Sequence, residues 1–251
     1  MDWTLNRIAI MHSPCKEKFA VPRQSGLAPG LTGQIEILSP YDRDEAFLAL
    51  DGFSHIWVLG LFHQSKIEGE NIDRTESWQT TVRPPRLGGN KRVGVFASRS
   101  PNRPNPISLS VFKLIDISRR ANKLFLDVSG TDLVDGTPII DIKPYLRYAD
   151  SIPDAQGGYV DLIPKPQLSV VFSDLAAKQC FLLTSSFPAR LENLNEQQLQ
   201  RIIIELIQLD PRPAYKTRQN EQEFGLKLFA LNVRFSVNQQ QAKVLSLDIK
   251  D

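Results

Sequence analysis

With 251 residues, 41% of them hydrophobic, the chain can bury a full core without staples, and its two cysteines, Cys15 and Cys180, sit in no metal-ligand spacing, which argues against a disulfide framework or a zinc site. The first 20 residues lack the apolar run of a signal peptide, and the longest apolar stretches, 56–62 and 202–207, are too short to span a bilayer, so a cytosolic protein is expected. The net charge of +2 conceals a split: seven cations and no acid between Ser77 and Ile115, then seven aspartates from Asp127 to Asp161 against only Lys143 and Arg147. A basic block of this kind either faces a polyanion or is a solvated loop paired with the acidic block, and charge alone leaves both readings open.

Along the chain, residues 5–11, 35–38, 54–62, 93–97, 107–115, 123–129 and 139–143 alternate in polarity or are rich in β-branched and aromatic side chains, with Gly, Pro, Asn and Asp clusters between them. These runs predict a mainly β unit, an antiparallel sheet or barrel over 1–155, with one short helical candidate at 42–51. A doubly wound nucleotide fold would need long amphipathic helices between the strands, and the first 150 residues offer few. Leu87-Gly88-Gly89-Asn90 precedes a strand and reads as a tight turn. His55, in an aromatic and apolar run with Trp57, reads as a core histidine.

Prolines 153, 164 and 166 and the Gly157-Gly158 pair predict a linker, followed by a small α+β unit over 165–251. Its expected elements are a strand at 168–173, a short helix at 174–183, a helix opening at the Asn195 cap with Gln198 as capping-box partner, and a hairpin of 231–237 with 245–249. Asp210-Pro211 is expected to end the second helix.

Four clusters carry chemistry: SPCKEKFAVPRQ at 13–24; DGFSHIW at 51–57, running on to His63 and Gln64; VRPPRLGGNKRVGVFASRSPNRPNPISLS at 82–110; and DLVDGTPIIDIKPYL at 132–146. Together they resemble the TrmO (YaeB, TsaA-like) family of S-adenosylmethionine-dependent tRNA methyltransferases, and LDPRPAYK at 209–216 is similar to the C-terminal motif of its bacterial members. The resemblance implies a β-barrel that binds S-adenosylmethionine (SAM) without a Rossmann domain, as a homodimer with no metal, and methylates N6 of threonylcarbamoyl-adenosine at position 37 in the tRNA anticodon loop. It places cofactor contacts on Ser13, Pro14, Cys15, His63, Gln64, Arg99, Leu109, Asp132, Leu133, Val134 and Asp135. Where the family commonly has an aromatic residue after Ser-Pro, this chain has Cys15.

Carboxylates suit the positive charge and ribose hydroxyls of SAM, although Asp135-Gly136 is also simple turn chemistry. Arg99 suits a carboxylate fork and could equally hold a phosphate. The acceptor nitrogen is urea-like and a poor nucleophile, so a proton acceptor would help. Asp135, Asp141 and Tyr145 are candidates, with Lys143 to stabilise charge, unless the 141–145 segment is only a strand end with a local ion pair. Arg83, Arg86, Lys91 and Arg92 are candidate phosphate contacts, Arg103 is a candidate RNA contact at the rim in a proline-stiffened stretch, and Arg212, Tyr215, Lys216 and Arg218 form a second basic and aromatic group expected to bind RNA. A non-catalytic RNA-binding barrel, and a methyltransferase acting on another acceptor, remain as rival readings.

Overall fold

The computed structural model describes residues 4–64, 78–160, 166–191, 193–212 and 222–249. Six strands, β1 (Ala9–His12), β2 (Thr32–Ile37), β3 (His55–Leu61), β6 (Ile107–Arg120), β7 (Lys123–Ser129) and β8 (Pro138–Pro144), are each hydrogen-bonded to two others. The order β1-β2-β7-β6-β3-β8 closes through β8 onto β1, with every pair antiparallel. Alternation decides which side chains fill the interior. Met11, Ile35, Ile56, Phe112, Leu126 and Ile139 point in and are fully enclosed, each contributing about 1.5–3 kcal/mol of burial.

Three of the expected elements differ in the structure. The 107–115 strand extends to Arg120, because Arg120 pairs across to Asp127 and Arg119 reaches Asp44 at 2.8 Å, and a two-residue turn with positive φ at Ala121 and Asn122 joins it to β7. The strand expected at 93–97 is only β5 (Val93–Gly94), paired with β4 (Thr81–Val82), before the chain curls into a 3₁₀ turn at Val95–Ala97 that sinks Val95. The helix expected at 42–51 is two separate 3₁₀ turns, Asp44–Phe47 and Leu50–Gly52.

The second unit is a four-stranded sheet in the order β10-β11-β12-β9, from β9 (Ser169–Phe172), β10 (Glu223–Leu228), β11 (Leu231–Asn238) and β12 (Gln241–Ile249), in which β9 runs parallel to β12. Helices α1 (Asp174–Ser186) and α2 (Glu196–Ile207) pack on it. Ser173 caps α1 by accepting from the Ala176 N–H, and Asn195 and Gln198 form the reciprocal capping box of α2. The core of this unit takes in Cys15, Ala20, Ala28 and Leu31 from the long β1–β2 connection. That connection is tied down by Phe229 N–H to Pro14 O at 2.7 Å and by Gly30 N–H to Glu205 Oε2 at 2.7 Å. One segment thus touches the barrel at its start and fills the other core further on.

Among the described residues no helix is long and apolar enough to cross a membrane.

Candidate active site

The ends of β1, β3 and β7 and the starts of β2, β6 and β8 form one mouth of the barrel, and there the lining turns polar. The inward positions of β6 at this end are Ser108 and Ser110, buried with Thr131 and Thr137. Gly60 fits here because any Cβ would meet Ser108 Oγ at 2.9 Å and Pro138 O at 3.1 Å, and its N–H donates to Ser108 Oγ. Asp132 accepts from the Ser110 hydroxyl and the Ser25 N–H, yet its Oδ1 is buried with no partner among the described residues. Burial pushes its carboxyl up from 3.8 to about 6, against the pull of those hydrogen bonds and of nearby Arg99. An orphaned, desolvated acceptor is costly in isolation and fits a ligand that brings a donor or a positive charge.

Three residues on, Asp135 joins two segments. Its Oδ1 accepts from the Ser13 N–H and its Oδ2 pairs with Lys16 Nζ, both at 2.9 Å, while its own N–H donates to Cys15 O. Gly136 completes the turn at φ +77, a conformation suited to glycine. A Cβ at Gly136 would lie 4.0 Å from His63 Nε2, which places that imidazole over the turn. The imidazole is exposed at its edge, and its partial desolvation lowers the His63 pKa, a shift that nearby Lys18 reinforces and that the Leu61 backbone and Asp135 oppose. Gln64 beside it is exposed.

Cys15 uses its polar groups on the fold: N–H to Ser13 Oγ, carbonyl to Asp135 N–H and thiol to Ala20 O at 3.3 Å. Burial pushes the thiol up to about 12, so it stays protonated. Its side chain belongs to the second core and is fully buried.

Arg99 lies on the loop after Val95–Ala97 and donates to Gln24 Oε1 at 2.6 Å, close enough to Asp132 to affect its charge. Arg103 is not a displayed cation. Its guanidinium donates to Ser100 O at 2.9 Å, Val95 O at 3.3 Å and Ser98 O, clamping the loop that carries Arg99. Arg83, Lys91 and Arg92 are exposed, with Arg92 touching Thr81 Oγ1, and Arg86 reaches Val160 O at 3.2 Å.

The four expected catalytic residues, Asp135, Asp141, Lys143 and Tyr145, do not converge. A register shift at Leu59 and Gly60 turns Asp141, Lys143 and Tyr145 to the outer wall, where Lys143 Nζ meets Asp141 Oδ2 at 2.5 Å and Tyr145 tilts against Trp57 at 5.9 Å. Tyr145 stands at the far end of the β3–β8 ladder from Asp135, about 20 Å along a seven-residue strand. Half-exposed Leu109 is on the same outer wall, in one cross-strand row with Leu59 and Asp141. His55 is exposed, held by Ser54 and edge-on to Tyr145, and is not a core histidine.

Arg212, expected as an RNA contact, is enclosed by the fold instead. The side chain is 5% exposed, forks onto Asp210 through Nε at 2.7 Å and Nη2 at 2.9 Å, and lies over the Phe224 ring. A guanidinium committed to a buried carboxylate does not reach a phosphate. Tyr215, Lys216 and Arg218 lie outside the described residues.

Sequence reasoning missed Lys16, Ser25 and Ser110. Lys16 sits in the quoted 13–24 cluster, but the carboxylate it serves is more than a hundred residues away, and only closure of the barrel brings them together. The two serines carry no signal in an isolated strand or loop.

Comparison with known proteins adds to this geometry. Residues 10–151 match the family model of the tRNA-methyltransferase O N-terminal domain, and residues 165–250 that of the TrmO C-terminal domain. The chain is 41% identical over 248 residues to the Escherichia coli tRNA (adenine(37)-N6)-methyltransferase, covering 98% of both proteins. It is 39% identical over 239 residues to a Pseudomonas aeruginosa protein provisionally named S-adenosylmethionine-dependent methyltransferase RcsF, covering 94% of this chain and 93% of that one. The crystal structure of TrmO from Pseudomonas aeruginosa superposes with a TM-score of 0.74 at 33% identity, over 99% of each chain.

Proposed function

This chain belongs to the TrmO family of tRNA methyltransferases, and from that premise we propose that it transfers a methyl group from SAM to N6 of threonylcarbamoyl-adenosine at position 37 of tRNA. The observation that carries the reading is the unpartnered Asp132 Oδ1, buried at a polar barrel mouth inside the matched segment. Its carboxylate suits an ammonium or ribose hydroxyl, and Arg99 beside it suits a carboxylate, so the residues present fit SAM. When bound, SAM supplies a sulfonium methyl group open to in-line attack.

The chain's own residues position and deprotonate. Asp135 fixes the 13–16 segment and the 132–136 turn as the two walls of the cofactor site, with Ser13, Pro14, Leu133 and Val134 as their backbone. His63, whose imidazole stands over the Gly136 turn, is the side chain we assign to take the N6 proton as the new bond forms, which leaves Asp135 a supporting charge. Holding a base near attack distance does most of the remaining work. Asp141, Lys143, Tyr145 and Leu109 share an outward wall that we assign to contact with a second copy of the chain. Arg83, Arg86, Lys91 and Arg92 face the anticodon loop.

Incubation of the purified protein with methyl-labelled SAM and tRNA from cells lacking the gene tests the reading. Label incorporated into threonylcarbamoyl-adenosine supports it. SAM binding without transfer to any tRNA would point to another acceptor, and RNA binding without SAM affinity to a non-catalytic barrel.

A further inference from the structure

The paired strands β4 and β5 and the 3₁₀ turn after them carry an exposed aromatic pair that has no part in the cofactor site described above. Phe96 is 73% exposed at the tip of the Val95–Ala97 turn, and the indole of Trp78 tilts against it at 5.7 Å between ring centroids. An exposed Phe ring is apolar surface that folding leaves in water, yet its backbone is firmly held. Val95 beneath it is buried, the Tyr159 hydroxyl donates to Ala97 O at 2.9 Å, and the Arg103 guanidinium grips Val95 O and Ser98 O. Beside the indole opens a recess of about 500 Å³, lined by Trp78, Thr81, Arg83 and Arg92 among others, in a stretch from Trp78 to Lys113 without a single acid.

We propose that Trp78, Phe96 and this recess form a nucleotide-binding subsite that stacks one unpaired base of the substrate RNA on the Phe96 ring while Arg83 and Arg92 take its phosphate. The inference rests on the tRNA reading above. Every base offers a π-face, and a polyanion with exposed π-faces is what complements an aromatic ring set among cations. A second copy would present the same cations to each other, and an apolar protein partner would have to desolvate them. The fork of Arg92 spends one donor on Thr81 Oγ1 and has others for phosphate.

Binding of tRNA carrying threonylcarbamoyl-adenosine, titrated at several salt concentrations into wild type, Phe96→Leu and Phe96→Tyr beside a SAM titration, tests the subsite. Phe96→Leu is expected to weaken tRNA binding roughly tenfold with an unchanged salt slope and SAM affinity, while Phe96→Tyr stays within about threefold of wild type. Equal affinity of wild type and Phe96→Leu overturns the subsite, as does an equal loss in both variants, because a stacking surface must distinguish them. A shift in oligomeric state on Phe96→Leu with RNA affinity intact assigns the ring to a second copy instead. Failure of the wild type to bind tRNA overturns the function and the subsite together.

Discussion

The carboxylate of Asp135 holds the Ser13 N–H at 2.9 Å on one oxygen and the Lys16 ammonium at 2.9 Å on the other, so one side chain pins the start of the β1–β2 connection to the turn before β8. The ion pair is half-exposed and contributes little to stability, about 1 kcal/mol or less. Its main effect is local. Asp135→Ala is therefore expected to weaken SAM binding at least about tenfold while lowering the melting temperature by no more than roughly 5 °C, and Asp135→Asn, which keeps an acceptor for Ser13, should fall between. Calorimetric SAM titration beside thermal melts decides this. A large drop in stability with affinity preserved in the folded fraction would make the carboxylate structural.

Asp132 gives a pH dependence with a definite sign. Its carboxyl is raised from 3.8 to about 6, so between these values the native protein holds a proton that the unfolded chain has released, and stability falls as pH rises through that window. Asp132→Asn removes the titration. Its melting temperature should exceed that of wild type by a margin that grows as pH rises to about 6 and then stays level. SAM affinity should respond oppositely: the cationic ligand favours the ionised form, so wild-type affinity declines as pH drops below about 6, and the variant binds weakly at every pH. Melts and titrations across this range that show no such divergence would remove Asp132 from the cofactor site.

Arg212 and Asp210 are a buried pair, and removing one partner strands the other. Arg212→Ala is expected to cost about 3–5 kcal/mol, with the salt slope of tRNA binding unchanged in the folded protein. Arg83→Ala with Arg92→Ala should do the reverse, leaving stability within about 0.5 kcal/mol and flattening that slope by about 1.4 for two lost phosphate contacts. Urea melts paired with salt titrations separate the two effects, and a flattened slope for Arg212→Ala alone would restore it as an RNA contact.

Leu109, 47% exposed in one row with Leu59 and Asp141, tests the assigned contact between copies. Leu109→Glu places a second negative charge in the row of Asp141 on that wall and should shift the protein towards monomer in sedimentation at micromolar concentration, with the barrel intact by circular dichroism. An unchanged sedimentation coefficient would move the contact elsewhere.

The sequence carried much of this, unevenly. Period-two alternation located β3 and β7 almost residue for residue, and Asn195 with Gln198 fixed the start of α2, because local patterning and capping are decided by neighbours a few residues apart. Arg212 was misread for the opposite reason. A helix-ending Asp-Pro-Arg looks like surface, and only the docking of the second sheet encloses it over Phe224. The position of Asp141, Lys143 and Tyr145 turned on a one-residue register shift opposite Leu59 and Gly60, which sends alternate side chains to the other face of the wall. Cys15 looked like a departure at a ligand site until the fold showed its side chain filling another core.

The most direct test of the central claim is mass analysis of position-37 nucleosides in tRNA from cells with the gene, without it, and with the gene restored. The account predicts N6-methylated threonylcarbamoyl-adenosine in the first and third and only its unmethylated form in the second. The same methylated nucleoside in cells lacking the gene, or its absence from cells that carry it and express a folded, SAM-binding protein, would contradict the account.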